Sequence, residues 1–295
     1  MLGRLGAYAA IALLWLLHWL PLSVLALLGR GLGALLWRFA GARRRVALRN
    51  LELCFPELDP AARRRLAREH FGWMGRSILE RGLLWFAPMA RLQRLLKVEG
   101  DLQQAERSTQ PVMWLLPHFA GLEWVAPGLL LGQKRPVVDV YQRQSNAVLD
   151  AALMKGRGRF GDTRFVNRHH GIRPVLKHIK DGCGFVNAPD MDFGRKDSAF
   201  VPFFGVPACT LLAPGKLAHT LGMTVLPLTV TMLPGGQGYR LTAHPPLADY
   251  PSGDAMHDAH TLHRWLEARI REQPAQYLWV HKRFKTRPDG EAPLY

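Results

Sequence analysis

The chain has 295 residues, 48% hydrophobic and 21% charged, with 39 Lys plus Arg against 23 Asp plus Glu and a formal net charge of +16. That length is long for one core and short for two, and α/β units of this size are common. Three scattered cysteines exclude a disulfide framework and fit a reducing compartment with small buried thiols. The charge speaks to partners and not to fold: nucleic acid, an anionic membrane surface, a phosphorylated lipid and an acidic protein all stay open.

Residues 5–28 carry no Asp, Glu, Lys or Arg. That is close to the ~20 apolar residues that cross a bilayer, with Trp15, Trp19 and Trp37 suited to interfaces. The segment is read as a transmembrane or deep anchoring helix; a buried hairpin kinked at Pro21 is the alternative. Arg30, Arg38, Arg43, Arg44, Arg45 and Arg49 follow it, so the positive-inside rule puts the bulk of the chain in the cytoplasm. Residues 29–40 are expected along the headgroups as an amphipathic helix. The division is thus 1–40, anchor and interfacial helix, and 41–295, one cytoplasmic α/β unit.

Residues 60–86 predict a helix with Asp59 as N-cap and Pro60 in the first turn. Strands are predicted over 112–116, 136–141, 164–166, 184–188, 224–231 and 239–243. Helices are predicted over 122–131, 146–157, 172–180, 211–221 and 257–272. This alternation argues for an α/β fold with a mixed, largely parallel sheet flanked by helices.

The chemistry centres on His118 and Glu123, at a strand-to-helix turn above the sheet. Five residues of regular helix turn by about 140°, so the two meet only if His118 lies outside the helix. Such a pair suits base-assisted transfer: His takes a hydroxyl proton and the carboxylate fixes its tautomer. An ordinary helix start with a solvated Glu matches the same spacing. Asp190 and Asp192 follow a predicted strand on the same edge, suited to a cation, an arginine, a substrate hydroxyl or a plain Asp-rich turn. Arg157 and Arg159 sit in a glycine-bearing loop, as oxyanion or phosphate ligands or as solvated charge. The segment 200–207, with two prolines and three Phe, is read as an apolar loop that lines an acyl tunnel or covers the core. His169 and His170 lack supporting ligands, so no metal is expected. The basic run 281–287 comes without a nucleic-acid motif, so no nucleic acid is expected.

Assembled, these segments resemble the late acyltransferases of lipid A biosynthesis. The resemblance runs in order through Arg49-Asn-Leu-Glu-Leu-Cys-Phe-Pro-Glu57, His118 to Glu123, Val140-Tyr-Gln-Arg143 with Asn146, and Gly156-Arg157. It continues through Ala188-Pro-Asp-Met-Asp-Phe-Gly194, Val201-Pro-Phe-Phe-Gly205 and Tyr277 to Pro288. Family members usually show Tyr-Arg-Pro where this chain has Tyr141-Gln142-Arg143. The resemblance implies a glycerolipid acyltransferase-like fold and an enzyme at the cytoplasmic face of the inner membrane. It implies an acyl carrier protein thioester as donor and a lipid A precursor, Kdo-bearing, as acceptor. The product is a secondary ester in lipopolysaccharide biosynthesis, and another glycolipid or glycerolipid acceptor is the alternative. It implies His118 as base, Glu123 as its orienting carboxylate, and Arg157, Arg159, Asn146, Asp190 and Asp192 as substrate-binding or oxyanion candidates. No cofactor is implied, since the thioester carries the activation.

Overall fold

The computed structural model describes residues 2–295. In chain order the elements are α1 (Leu2–Leu17), α2 (Leu22–Phe39), α3 (Gly41–Cys54), α4 (Pro60–Phe86), α5 (Met89–Leu95), β1 (Leu96–Glu99), α6 (Gln104–Arg107) and β2 (Val112–Leu115). A 3-10 turn at Leu122–Trp124 leads into α7 (Val125–Gly132). There follow β3 (Val137–Tyr141), α8 (Ala147–Arg157), β4 (Thr163–Asn167), α9 (Arg173–Lys180) and β5 (Gly184–Asn187). The chain closes with β6 (Ser198–Phe203), β7 (Val206–Leu211), α10 (Ala213–Thr220), β8 (Thr224–Met232), β9 (Tyr239–Ala243) and α11 (Ala255–Glu272).

Seven strands form one sheet in the order β1-β9-β8-β2-β5-β3-β4, and β6 and β7 form a separate antiparallel hairpin. Every neighbouring pair in the large sheet is parallel except β8 with β9. The expected mixed, largely parallel sheet is therefore observed. Side chains alternate along β2: Met113 and Leu115 enter one core layer, Val112 and Trp114 the other. Both faces are thus covered by helices, which is why β2 reads as a continuous apolar run. Each fully buried Leu or Met contributes roughly 1.5–3 kcal/mol.

The N-terminal segment differs from expectation in its geometry. The predicted continuous helix over 5–28 is interrupted at 18–21, where Pro21 removes a backbone donor and starts α2. Residues 29–40 are therefore not a separate surface helix but the second half of α2. That helix buries Leu22, Leu25, Ala26, Gly29 and Gly33. It packs on α4 through glycines: a Cβ built on Gly75 would lie 2.1 Å from the Gly29 carbonyl oxygen, so the backbones touch directly. The opposite side stays apolar and exposed, as at Leu27, Leu35 and Phe39, and α1 exposes Leu5, Tyr8, Leu13 and Leu16. By length and composition α2 is able to cross a membrane, and this apolar surface suggests membrane association.

Asp59 caps α4 as expected, accepting from Ala62 N at 2.7 Å. A buried ion pair stiffens that helix: Arg76 Nε donates to Glu80 at 2.6 Å, Tyr239 donates to the same carboxylate, and Arg76 Nη1 donates to the Leu233 carbonyl. At the other end, Asn50 in α3 donates to the carbonyls of Trp279 and His281, both at 2.7 Å. The Arg49-Asn50 segment and the C-terminal strap, residues 277–288, far apart in sequence, are thereby one structural unit. All three cysteines are free and buried.

Candidate active site

β2 and β5 are neighbours and parallel, so the loops after their C-terminal ends meet above the sheet. The loop after β2 carries His118, outside any helix, and Glu123 lies in the following 3-10 turn. The loop after β5 carries Asp190. Its Oδ1 lies 2.5 Å from His118 Nδ1, and its Oδ2 accepts from the His118 backbone N–H at 2.9 Å. One carboxylate thus fixes both the ring and the backbone of His118. The strap adds a third hold: Leu278 N donates to the His118 carbonyl at 3.0 Å, and Phe119 and Tyr277 form a bridge.

The electrostatics follow from this pairing. Burial works against a charged imidazole, but the charge and hydrogen bond of Asp190 outweigh it, so the His118 pKa is raised from its ordinary value. Burial pushes Asp190 up, and its pairing with His118 brings it below the usual carboxylate range. Because Nδ1 faces the carboxylate, the proton of the neutral ring sits on Nδ1. Nε2 is left as the acceptor toward the cavity.

Glu123 does not hydrogen-bond His118. It binds Arg157 in a fork, from Nε at 3.0 Å and Nη2 at 2.6 Å, with Arg81 4.0 Å away. Arg157 also reaches Asp139 on β3 at 3.5 Å. Burial opposes ionisation of Glu123, but Arg157 more than offsets it and holds its pKa low. Asp139 is left second in line for that cation, and burial raises its pKa. Gly156 makes the arrangement possible: a Cβ there would lie 2.2 Å from Trp85 Cδ1, so a side chain would push α8 away and carry Arg157 with it.

The other sequence candidates divide. Arg159 points elsewhere, donating to the Leu84 and Ala87 carbonyls at the end of α4 at 2.8 and 2.6 Å; it caps a helix C-terminus. Asn146 is the N-cap of α8, accepting from Val148 N at 3.0 Å and donating to the Gly3 carbonyl. Asp192 holds the strap rather than an arginine of the site: it accepts from Thr286 N at 2.7 Å, Thr286 Oγ1 at 2.9 Å and Gly194 N at 2.9 Å. Arg143 is exposed, 3.7 Å from Asp150. The predicted apolar loop over 200–207 is the β6–β7 hairpin. Asp139 and His281 join the site without a sequence signal. His281 lines the cavity, and burial, with Arg283 beside it, lowers its pKa to about 4.

A cavity of about 1620 Å³ opens beside His118, Glu123, Asp139 and Arg157. Among the described residues no cluster of His, Cys, Asp and Glu is arranged to hold a metal ion. The groups present suit proton transfer at His118 Nε2 beside a guanidinium able to meet negative charge.

Three curated relatives, all of Escherichia coli strain K12, are similar to the chain in sequence. The chain is 34% identical to a lipid A biosynthesis palmitoleoyltransferase over 97% of its own length and 92% of the relative's. It is 33% identical to a lipid A biosynthesis lauroyltransferase over 98% and 94%. It is 30% identical to a lipid A biosynthesis myristoyltransferase over 92% and 83%. A family described as bacterial lipid A biosynthesis acyltransferase matches residues 1–286. With nearly every residue inside that match, the chain belongs to the bacterial lipid A biosynthesis acyltransferase family and is an acyltransferase.

Proposed function

We propose that this enzyme transfers a fatty acyl chain from an acyl carrier protein thioester to the hydroxyl of a 3-hydroxyacyl chain on a Kdo-bearing lipid A precursor. The place is the cytoplasmic face of the inner membrane. Residues 1–40 act as its anchor and 41–295 as its acyltransferase unit. The observation that carries the chemistry is the hydrogen bond between His118 Nδ1 and Asp190, with His118 lining a large cavity. The apolar outer sides of α1 and α2 and the arginines after α2 support the location.

His118 Nε2 accepts the proton of the acceptor hydroxyl, whose oxygen attacks the thioester carbonyl carbon. The carbonyl π pair moves onto oxygen, and the tetrahedral oxyanion forms beside Arg157. Of the five guanidinium N–H groups, three are committed to Glu123 and Asp139. The remaining two are free for the oxyanion. Collapse re-forms the carbonyl and breaks the C–S bond, and the departing sulfur takes the proton from His118. Transfer is direct, with both substrates bound, because the cysteines are buried and Cys183 and Cys209 have raised pKa values through burial. Asp190 takes the orienting role that the spacing of His118 and Glu123 suggests for Glu123, and Glu123 positions Arg157.

Lipid A profiling of a deletion strain tests the acceptor. Lipid A one secondary acyl chain short, restored by the wild-type gene and not by His118→Ala, supports the reading. Unchanged lipid A with an altered glycolipid or phospholipid would move the acceptor elsewhere.

A further inference from the structure

The cavity exceeds the ~300–1,000 Å³ of an ordinary small-molecule site, and its lining comes from both faces of the sheet. One branch of the lining is made by Val125, Ala126 and Leu129 of α7, Leu153 of α8 and Phe160 just after α8. Val125, Leu129 and Phe160 belong to the core layer of Trp114. The other is made by Val175 and Leu176 of α9, Phe185 of β5, and Leu217 and Leu221 of α10 and its C-cap, against the layer of Met113. Met113 and Trp114 are successive residues of one strand, so their side chains point to opposite faces. The branches therefore lie on opposite sides of the sheet, and His118 stands where they meet, at its C-terminal edge.

We infer that these branches are two acyl slots joined at His118, the donor's chain entering between α9 and α10 and the acceptor's between α7 and α8. This rests on the acyl-transfer reading above. An ester between two fatty chains has a chain on either side of the reacting oxygen, so the base belongs at the junction of two apolar slots. The entrances differ in character. α1 lies on the α7–α8 side: Leu17 packs on the Trp114 layer, and Asn146 at the start of α8 binds the Gly3 carbonyl. The exposed Leu5, Tyr8 and Trp15 of α1 thus mark that entrance as the one facing lipid. On the α9–α10 side the cavity is rimmed by exposed Lys180, Lys196, Lys216 and Lys285, with Asp197 the exposed carboxylate among them. A soluble, acidic carrier is drawn to such a rim.

The test is steady-state transfer from carrier-borne thioesters of graded chain length, with Leu217→Trp narrowing one slot and Ala126→Phe the other. Leu176→Phe and Leu129→Phe serve as smaller intrusions, and thermal melts check folding. Leu217→Trp is expected to lower the ratio of kcat/KM for long over short donors by about tenfold or more, with the loss confined to the donor profile. Ala126→Phe is expected to raise the KM of the lipid acceptor while the donor profile keeps its shape. The opposite pattern overturns the assignment of the slots. Equal effects of both variants on donor and acceptor overturn the two-slot cavity. Absence of transfer by the wild-type enzyme from every donor overturns the parent reading, and the slots with it.

Discussion

Replacing Asp190 by Asn separates the two candidate partners of His118. The carboxylate accepts twice from one residue, from the ring at Nδ1 and from the backbone N–H. An Asn of the same shape keeps one of these acceptances. If its oxygen holds the backbone N–H, its NH2 faces Nδ1, and the ring must move its proton to Nε2. The base is then blocked at the atom that faces the substrate. A wrong-tautomer change of this kind costs about 10,000-fold in kcat in a Ser-His-Asp enzyme, close to 5.5 kcal/mol of transition-state stabilisation. A loss of about 1,000-fold or more is therefore expected here, with circular dichroism and membrane extraction like wild type. The pH profile moves as well. His118 works as a neutral base, so wild-type kcat/KM falls as pH drops through a His118 pKa raised above 6.5. Loss of the Asp190 charge moves that acid limb down. The stability trend of the pair has the opposite sense on the alkaline side. Its contribution is complete below the ordinary histidine value and is lost as pH rises through the raised one. On the acid side it is lost as pH falls through the lowered Asp190 value. An Asp190→Asn enzyme within about tenfold of wild type would refute the tautomer argument and return the orienting role to Glu123.

The two loop arginines should part company under mutation. Arg157→Ala is expected to cost about 100- to 1,000-fold in kcat, the usual loss of an oxyanion donor. Arg159→Ala should lower the melting temperature through the lost α4 carbonyl contacts and act on turnover far less; equal kcat losses in parallel assays would contradict the placement. Glu80→Ala leaves the Arg76 charge buried at 2% exposure. A loss of about 3–5 kcal/mol in urea unfolding is expected, and a change under about 1 kcal/mol would show the pair to be dispensable. Asp192→Ala removes the carboxylate that receives Thr286 and Gly194. A stability loss of about 2–3 kcal/mol is expected, since hydrogen bonds to a buried charge are the strong ones. Faster proteolysis after residue 281 should accompany it, and unchanged cleavage would argue against a latch.

The sequence carries the central strands and the long helices plainly, because their apolar runs and caps are local signals. Residues 60–86 match α4 to the residue. The missed elements lack such signals. β1 is four residues long at the sheet edge, with three of them exposed, so no buried period marks it. The β6–β7 hairpin places Pro202 opposite Pro207, and prolines argue against a strand unless it has free edges. At the N-terminus, hydropathy measures apolar length and says nothing of the glycine contact between α2 and α4 that buries one side of α2. In the site, His118 stands out by its turn, and Asp190 by its place on the same edge. The pairing itself lies 72 residues away in sequence and depends on β2 and β5 being neighbours. Spacing alone favours Glu123, the nearer carboxylate, and Arg157, which claims Glu123 from 34 residues away, is invisible to any local pattern.

The central claim is that His118 drives direct transfer between two bound lipids. Purified enzyme in detergent, incubated with acyl carrier protein loaded with acyl chains and with a Kdo-bearing tetra-acylated lipid A precursor, tests it by mass spectrometry of both product and protein. The expected result is an acceptor heavier by one acyl chain, absent with folded His118→Ala, and a protein whose mass never gains an acyl group. Product from His118→Ala at the wild-type rate, or an acylated enzyme that passes its chain to the acceptor, would contradict it.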